Sequence, residues 1–280
     1  MLLACHNISP VFSNKRSLFM HFPNSLRFTR FTAFAMCVSA QTVFGNYIEI
    51  PCNLRKVIIM TQPIKALVFD VYGTLFDVHS VKVKAEELYP EHGEAISQAW
   101  RQKQLEYSFL RQLNGQYVPF SQVTRDALRY ALLQLKLHVT EENIADLMEV
   151  YLKLDHYPEV DDVLQQMGDK QIAVFSNGSH DMLDPLIEQS GLAGWFDQII
   201  SVDDIKQYKP TPASYMHALN TLGLKREDVL FMSSNGWDIT GAKSFGFRTA
   251  WINRSGLPVE ELNLDPDSIY DDLTGLLEWK

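Results

Sequence analysis

FDVYGTLF, at residues 69–76, closes an apolar run and opens a polar turn. The run itself, KALVFDV at residues 65–71, is apolar without polar alternation, which is typical of a parallel strand covered on both faces. The carboxylate of Asp70 therefore stands near the end of a buried strand. It either forms a turn or helix cap, which is the commoner role, or is presented to a cleft. The rest of the sequence has to distinguish these two roles.

Further apolar runs of the same kind follow, separated by helical patterns. They are QIAVFSN (171–177), FDQIISVD (196–203), DVLFMSS (228–234) and FRTAWIN (247–253). Two intervals show clear helix ends: HDMLDPLIEQSGL, with Gly191 as a C-cap, and PASYMHALNTLGL, ending at Gly223. Strands that alternate with helices predict right-handed crossovers and an α/β fold with a doubly wound, mostly parallel sheet.

One interval is too long for a single crossover, because roughly 90 residues separate the first strand from the second. It contains three amphipathic helical patterns, AISQAWRQKQLEYSFLRQL, FSQVTRDALRYALLQL and EENIADLMEVYLKL. We therefore predict an α/β core of residues 61–76 and 158–280, with a helical cap of residues 77–157 inserted after the first strand. Such a cap covers the carboxyl edge of the sheet, where open α/β sheets bind ligands.

Residues 1–60 differ from the rest of the chain. They contain six Lys and Arg against one acidic residue, whereas residues 61–280 contain 19 against 33, and they hold all three cysteines. This N-terminal extension fits an export signal poorly and a transit segment somewhat better. We favour a third interpretation, in which Met60 is the true start, and this predicts a cytoplasmic protein. No run of 18 apolar residues occurs, so we expect no membrane span.

Polar signatures follow the predicted strands. Asp70 lies in DVYGT, Ser176 in SNGS, and SSNGWD occupies residues 233–238, while YKP at 208–210 follows the strand IISV. Capping explains any one of these signatures. If the strands are parallel neighbours, however, all four converge on one crevice below the cap.

These motifs carry a family resemblance. FDVYGTLFDVHSV, WRQKQLEY, SNGS, YKP followed by Tyr215, and SSNGWDITGAKSFGF resemble, in this order, the haloacid dehalogenase superfamily and specifically its type II L-2-haloacid dehalogenase branch. The resemblance covers about residues 61–275 and leaves the N-terminal extension unmatched. It implies a Rossmann-like core, a homodimer, and conversion of short L-2-haloacids to D-2-hydroxy acids.

The chemistry separates this branch from the magnesium phosphatases of the superfamily. Those enzymes use a second aspartate, two residues after the nucleophile, to protonate a leaving alkoxide. Tyr72 occupies that position here, and halide leaves without a proton. Ser234 and Asn235 stand where a phosphatase has another acidic metal ligand. Asp70 and Asp238 are then the two carboxylates that remain, which are few ligands for a divalent ion. We expect no metal and no cofactor. A magnesium phosphatase and a non-catalytic ligand-binding protein remain alternatives.

The resemblance assigns Asp70 as the nucleophile that forms an ester with the 2-carbon of the substrate. Arg101, which is otherwise a surface helix cation, receives the halide with help from Asn177. Lys209, otherwise a loop charge, keeps Asp70 ionised. Asp238 either stabilises a helix start or activates the water that hydrolyses the ester, with Asn235 and Thr74 as hydrogen-bonding partners.

The substrate carboxylate needs an anion site, which we predict at Ser176 and the backbone N–H groups of SNGS and VYG. Leu105 and Phe120 either line the substrate site or belong to the plain hydrophobic core, and the sequence fits both roles equally well. The predicted catalytic residues are Asp70, Thr74, Arg101, Ser176, Lys209, Tyr215, Ser233, Asn235 and Asp238, and the predicted substrate-binding residues are Tyr72, Gln102, Leu105, Phe120, Asn177 and Trp237.

The remaining features exclude other partners. His79 lies next to the first motif, but no serine and acid lie at a spacing that suggests a triad, so we expect a role at a helix start. Basic residues interleaved with aromatics occur only in residues 1–60, which argues against nucleic acid binding by the body. We expect the subunits to pair through the apolar helical cap.

Overall fold

The computed structural model describes residues 63–280 of the chain. Expectations for residues 1–60, whether an export signal, a transit segment or an untranslated stretch, lie outside the described residues. Within the described part, no helix is both long and apolar enough to cross a membrane.

A six-stranded parallel sheet forms the centre of the fold, in the order β3-β2-β1-β4-β5-β6. The strands are β1 (Ala66–Phe69), β2 (Gln171–Ser176), β3 (Gln198–Ser201), β4 (Val229–Ser233), β5 (Arg248–Ile252) and β6 (Ser268–Tyr270). The first five match the predicted runs but are one to four residues shorter, and the doubly wound parallel architecture is confirmed. β6 was not predicted.

The strand register places the predicted signatures side by side. Phe69 of β1 pairs with Val174 of β2 on one side and with Met232 of β4 on the other. The next residue, Asp70, donates its backbone N–H to the carbonyl oxygen of Met232 at 2.8 Å. The strand order reverses between β1 and β4, so Asp70 stands at the switch point where a crevice opens in such sheets.

Eight α-helices complete the described fold. Four follow β1, namely α1 (Val81–Leu88), α2 (Gly93–Leu113), α3 (Phe120–Gln134) and α4 (Glu141–Val150). The other four are α5 (Val160–Gln166), α6 (His180–Gln189), α7 (Pro212–Leu222) and α8 (Gly236–Phe245). Gly191 and Gly223 follow α6 and α7 in the left-handed conformation, as predicted.

The inserted helices pack against one another, and their buried side chains are continuous with the hydrophobic core of the sheet. Trp100 of α2 is fully buried and donates its indole N–H to the carbonyl oxygen of Thr124 of α3 at 2.8 Å. Two connecting segments join these helices to the sheet, and they pair where Tyr157 N–H bonds to Leu75 O and Asp77 N–H to Asp155 O, both at 2.9 Å. The exact limits of the cap, residues 77 and 157, stay a prediction.

Candidate active site

Asp70 is the centre of a buried polar cluster. Asp70 is buried, and its Oδ1 lies 2.8 Å from Nζ of Lys209. Its other oxygen, Oδ2, accepts hydrogen bonds from Thr74 at 2.9 Å, Asn235 at 3.0 Å and Ser233 at 3.3 Å. These partners come from the turn after β1 and from the end of β4. The carboxylate is therefore held by donors on both oxygens, as an ionised group requires.

Lys209 links two carboxylates. Its Nζ lies 2.6 Å from Oδ2 of Asp238 and 3.0 Å from the carbonyl oxygen of Phe175, in addition to its contact with Asp70. Burial alone would lower the pKa of Lys209, but the charges of Asp238 and Asp70 outweigh burial and raise it. Lys209 thus stays an ammonium ion inside the protein.

Asp238 lies in the first turn of α8 and is completely buried. Burial raises its pKa to about 6, with the attraction of Lys209 acting in the opposite direction and the charge of Asp70 reinforcing the rise. Tyr215 of α7 donates its hydroxyl to Oδ1 of Asp238 at 2.7 Å. This close approach depends on Gly241, because a Cβ there would lie 2.5 Å from Cβ of Pro210 and closer still to the Tyr215 hydroxyl.

Arg101 reaches the cluster from α2. Its Nη2 donates to the carbonyl oxygen of Tyr72 and to Oδ1 of Asn235, both at 3.2 Å. Its Nη1 donates to Oε1 of Gln104 at 2.8 Å. Arg101 is therefore a residue of the inserted helices that points at the end of β1 rather than a surface helix cation. The expectation that Asn177 helps Arg101 to receive the halide stays a prediction.

The SNGS turn lies between β2 and α6. Ser176 Oγ accepts the backbone N–H of Gly178 at 2.9 Å, and Oδ1 of Asn177 accepts the backbone N–H of Lys209 at 2.8 Å. The Nδ2 atom of Asn177 is buried and has no hydrogen-bond partner within residues 63–280. A buried donor without a partner is costly, which marks this atom as a contact for a ligand.

Fewer backbone N–H groups are free to bind an anion than the sequence predicted. The N–H of Gly178 is already bonded to Ser176, and the N–H of Gly73 donates to the carbonyl oxygen of Phe76 at 2.8 Å. These two N–H groups donate hydrogen bonds within their own turns and are therefore not free for a ligand. The Asn177 side chain, the N–H groups of Val71 and Tyr72, and the remaining N–H groups at the start of α6 are left for an anion.

Aromatic side chains line the same region. The ring of Tyr72 is buried and lies 6.0 Å, between ring centroids, from both Phe120 and Tyr151. Its hydroxyl has no hydrogen-bond partner among the described residues, and burial raises its pKa well above the ordinary value. Gly178 makes room for this ring, since a Cβ there would lie 2.7 Å from it.

Two predicted substrate-binding residues of α2 differ in their burial. Leu105 is partly buried one turn after Arg101, whereas Gln102 is exposed. Successive residues of an α-helix are rotated by about 100°, so the register that turns Arg101 inward turns Gln102 to solvent. The structure thus does not bring Gln102 to the cluster.

Trp237 lies at the start of α8 and packs edge-on against Phe109 of α2, with ring centroids 5.2 Å apart. It also lines a cavity of about 820 Å³ whose other lining residues come mainly from α7, α8 and the segment after β5. Neither Asp70 nor Lys209 lines that cavity. This cavity is therefore separate from the polar cluster, in which Asp70, Lys209 and Asp238 are all buried.

Two residues that support the polar cluster, Ser234 and Gln104, were not predicted from the sequence. Ser234 donates its hydroxyl to the carbonyl oxygen of Gly73 at 2.6 Å, and its backbone N–H donates to Oγ1 of Thr74 at 2.8 Å, which orients the Thr74 bond to Asp70. Gln104 is fully buried beside Arg101. The three-residue spacing from Arg101 on a helix was the signal that would have found Gln104.

Other candidate chemistry is limited. Within residues 63–280, no group of three or more His, Cys, Asp or Glu side chains is arranged to hold a metal ion. The expectation that the reaction needs no metal stays a prediction. His79 lies in a short 3-10 turn before α1, with Nδ1 2.9 Å from Oγ of Ser97.

Known proteins similar to this chain were found by sequence and by structure. The family model described as haloacid dehalogenase-like hydrolase matches residues 64–246. Haloacetate dehalogenase H-2 of Moraxella sp. (strain B) is 45% identical over 208 residues, which are 74% of this chain and 93% of that protein. The (S)-2-haloacid dehalogenase of Pseudomonas sp. (strain YL) is 44% identical over 217 residues, 77% of this chain and 94% of that protein.

A solved structure shows the same fold. The L-2-haloacid dehalogenase from Xanthobacter autotrophicus with chloropropionic acid covalently bound superimposes with a TM-score of 0.72 and 41% identity. The match covers 77% of this chain and 97% of that chain.

Proposed function

Because the chain belongs to the haloacid dehalogenase-like hydrolases, in the branch of the L-2-haloacid dehalogenases, we propose that it hydrolyses short L-2-haloalkanoic acids to D-2-hydroxy acids. The reaction proceeds through an ester on Asp70. The observation that carries this proposal is the buried carboxylate of Asp70 at the end of β1, with Lys209 on one oxygen and three neutral donors on the other. The matched relatives are dehalogenases, and one was solved with a covalently bound chloropropionic acid.

The first step is displacement of halide by Asp70. Oδ2 accepts three hydrogen bonds and Oδ1 accepts one, so Oδ1 retains a lone pair for attack. The new C–O bond forms at the 2-carbon as the carbon–halogen bond breaks, and its electron pair leaves on the halide. Attack opposite the leaving group inverts the 2-carbon, which converts an L-substrate into a D-product.

Arg101 receives the departing halide. Its planar guanidinium carries a positive charge and is fixed by Tyr72 and Asn235 at the mouth of the cluster. A donor that meets developing charge in a transition state is worth about 3 kcal/mol in other enzymes. Halide needs no proton, and burial of Tyr72 makes its phenol a weaker acid still. Tyr72 therefore contributes an apolar wall rather than a proton.

The second step is hydrolysis of the ester. Water attacks the carbonyl carbon of Asp70 and gives its proton to Asp238, which Lys209 and Tyr215 hold in place. Negative charge develops on Oδ2, where Thr74, Ser233 and Asn235 already donate, so these three residues form an oxyanion hole. Oδ1 then leaves with the product as its hydroxyl oxygen and takes back the proton from Asp238. The water oxygen stays in Asp70, and release of the second water proton to solvent restores the carboxylate.

The substrate carboxylate is bound at the SNGS turn. The buried Nδ2 atom of Asn177 supplies a donor, and the start of α6 supplies backbone N–H groups. Residues 61–280 carry a net negative charge, which repels an anionic substrate. The positive charges of Lys209 and Arg101 therefore have to dominate the electrostatic potential within the site.

The deciding experiment offers L-2-chloropropionate to the enzyme with EDTA present and measures chloride and the configuration of the lactate. We expect turnover to D-lactate that EDTA does not affect, and a loss of at least ~10³-fold in Asp70→Asn. In heavy-oxygen water under single-turnover conditions, the label should enter Asp70 and not the product. Turnover of a phosphate ester that EDTA abolishes would favour the magnesium phosphatase instead.

We further propose that two subunits pair through the inserted helices and that the protein is cytoplasmic. Pairing is supported by exposed apolar side chains on α2 and α3, and the location rests on sequence alone. The exposed side chains are Leu110, Leu113, Tyr130 and Leu133.

A further inference from the structure

Gln104 connects the site to the interior of the inserted helices. It lies on α2, one turn after Arg101, and is fully buried. Its Oε1 accepts Nη1 of Arg101 at 2.8 Å, and its Nε2 donates to Oγ1 of Thr124 of α3 at 2.8 Å. Both polar ends of a buried amide are thus used, one for a charged group and one for a neighbouring helix.

The direction of these hydrogen bonds is fixed from the backbone outward. Thr124 donates its only hydroxyl proton to the carbonyl oxygen of Phe120 at 2.8 Å, so Oγ1 can only accept from Gln104. The amide must therefore present Nε2 to Thr124 and Oε1 to Arg101. The carbonyl oxygen of Thr124 is held in turn by the indole N–H of Trp100 at 2.8 Å. Through the Thr124 hydroxyl, the backbone carbonyl of Phe120 determines which end of Gln104 faces the guanidinium.

A neutral acceptor at this position has a specific consequence for Arg101. It fixes the guanidinium without neutralising its charge, whereas a carboxylate would pair with it. Gln104, Tyr72 and Asn235 together use three of the five N–H groups of Arg101. The other two have no acceptor within the described part of the chain and remain for an anion.

We propose that Gln104 is a positioning residue for halide departure, oriented by Thr124, and this rests on the function proposed above. It acts through Arg101 and does not touch the substrate. Loss of the amide acceptor frees the guanidinium to rotate away from the point where halide leaves. The penalty is larger for chloride than for bromide, because the poorer leaving group depends more on stabilisation of its developing charge.

The test compares Gln104→Met with the wild type on L-2-chloropropionate and L-2-bromopropionate. Methionine has a similar length but no amide acceptor. Ester formation is followed by mass spectrometry in single turnover, because the rate constant is independent of how much protein is folded. We expect the rate constant for chloropropionate to fall about 10- to 100-fold, as for loss of a hydrogen bond to a charged group. The rate constant for bromopropionate should fall several-fold less.

Three matched variants complete the experiment. Thr124→Val removes the group that orients the amide and should shift the chloride-to-bromide ratio in the same direction, by less. Thr124→Ser keeps the hydroxyl and should retain the wild-type ratio. Gln98→Met makes the same substitution at an exposed position of α2 and should also retain it.

An equal loss on both substrates in Gln104→Met, or an unchanged ratio in both Gln104→Met and Thr124→Val, would overturn the proposal and leave Gln104 a purely structural residue. A wild-type protein that forms no ester and releases no halide would instead overturn the proposed function itself. The two failures are therefore distinguishable.

Discussion

The ammonium group of Lys209 lies 2.8 Å from Oδ1 of Asp70, with side chains that are 1% and 7% exposed. The same ammonium group contacts Asp238, which is fully buried. Ions removed from water in this way are stable only while paired, since the attraction has to offset their desolvation. Lys209 is thus the positive charge that allows two carboxylates to stay ionised within one closed cluster.

Lys209→Met should therefore damage both stability and activity. It leaves Asp70 and Asp238 buried without a counter-ion, and loss of one partner of a buried pair costs about 3–5 kcal/mol in other proteins. We expect the free energy of unfolding in urea to fall by that amount and halide release to be lost. Lys65→Met is the control, because its ion pair with Asp228 is half exposed and should contribute under about 1 kcal/mol. Equal urea midpoints for the two variants would contradict the assigned role of Lys209.

Asp238 should control the pH dependence of ester hydrolysis. Its pKa of about 6, raised by burial from the usual 3.8, means that it carries a proton below pH 6 and cannot accept one from water. Deacylation should slow about tenfold for each pH unit below 6 and reach a plateau above it. The folded state holds this proton between pH 3.8 and about 6 while the unfolded chain releases it, so this contribution to stability is present below that window and lost as pH rises through it.

The matching variant is Asp238→Asn, which keeps the shape of the side chain but removes the base. We expect the ester on Asp70 to accumulate with L-2-chloropropionate and to persist, visible as a mass increase of the intact protein. Wild-type rates of ester breakdown in this variant, or a deacylation rate that is flat from pH 5 to 8, would exclude Asp238 as the base.

The fold was predictable because a strand that is buried on both faces has a continuous apolar sequence. The apolar runs around Phe69, Val174 and Met232 are continuous, and the three residues are paired neighbours in the sheet. Parallel neighbours end at one edge, so Asp70 and the SNGS and SSNGWD turns could be placed together from sequence. β6 left no such mark, since its three residues are partly exposed at the edge of the sheet.

The site was predictable only where a motif marked it. Arg101 and Leu105 follow from the resemblance, but the rotation of α2 that exposes Gln102 and buries Gln104 depends on how α2 packs against α3. A glutamine within an amphipathic pattern reads as a solvent position. Its contact with Thr124, twenty residues further along the chain, shows that it belongs inside.

Gly241→Ala should disturb the support of Asp238. An alanine Cβ would collide with Pro210 and with the hydroxyl of Tyr215, so the helix α8 or the tyrosine has to shift. Overpacking of this kind costs typically about 1–3 kcal/mol, and displacement of Tyr215 should also slow deacylation. Gly194→Ala is the control, because a Cβ at that position would have no atom of the described residues within 4 Å apart from its own local backbone and chain neighbours. Urea midpoints and single-turnover deacylation rates test the pair, and equal values in both variants would refute the collision.

Pairing of two subunits should depend on an apolar strip along α2 and α3. Leu113, Leu110 and Tyr107 follow one another at three-residue spacing, which places them on one side of α2. The ring of Tyr107 contacts that of Tyr130 on α3, with centroids 6.0 Å apart, and Leu133 follows Tyr130 by three residues. Leu113 is 82% exposed and Leu133 is 59% exposed. Exposed apolar side chains on two neighbouring helices are the basis for the pairing proposed above.

The double substitution Leu110→Glu and Leu133→Glu should therefore give a monomer, since it would place four carboxylates in the shared interface of two subunits. Val83→Glu is the matched control, because Val83 is 63% exposed on α1 and lies outside the strip. Sedimentation equilibrium should give twice the chain mass for the wild type and for Val83→Glu, and the single chain mass for the double variant. A wild type that sediments as a monomer, or a double variant that still sediments as a dimer, would show that this strip does not join two subunits.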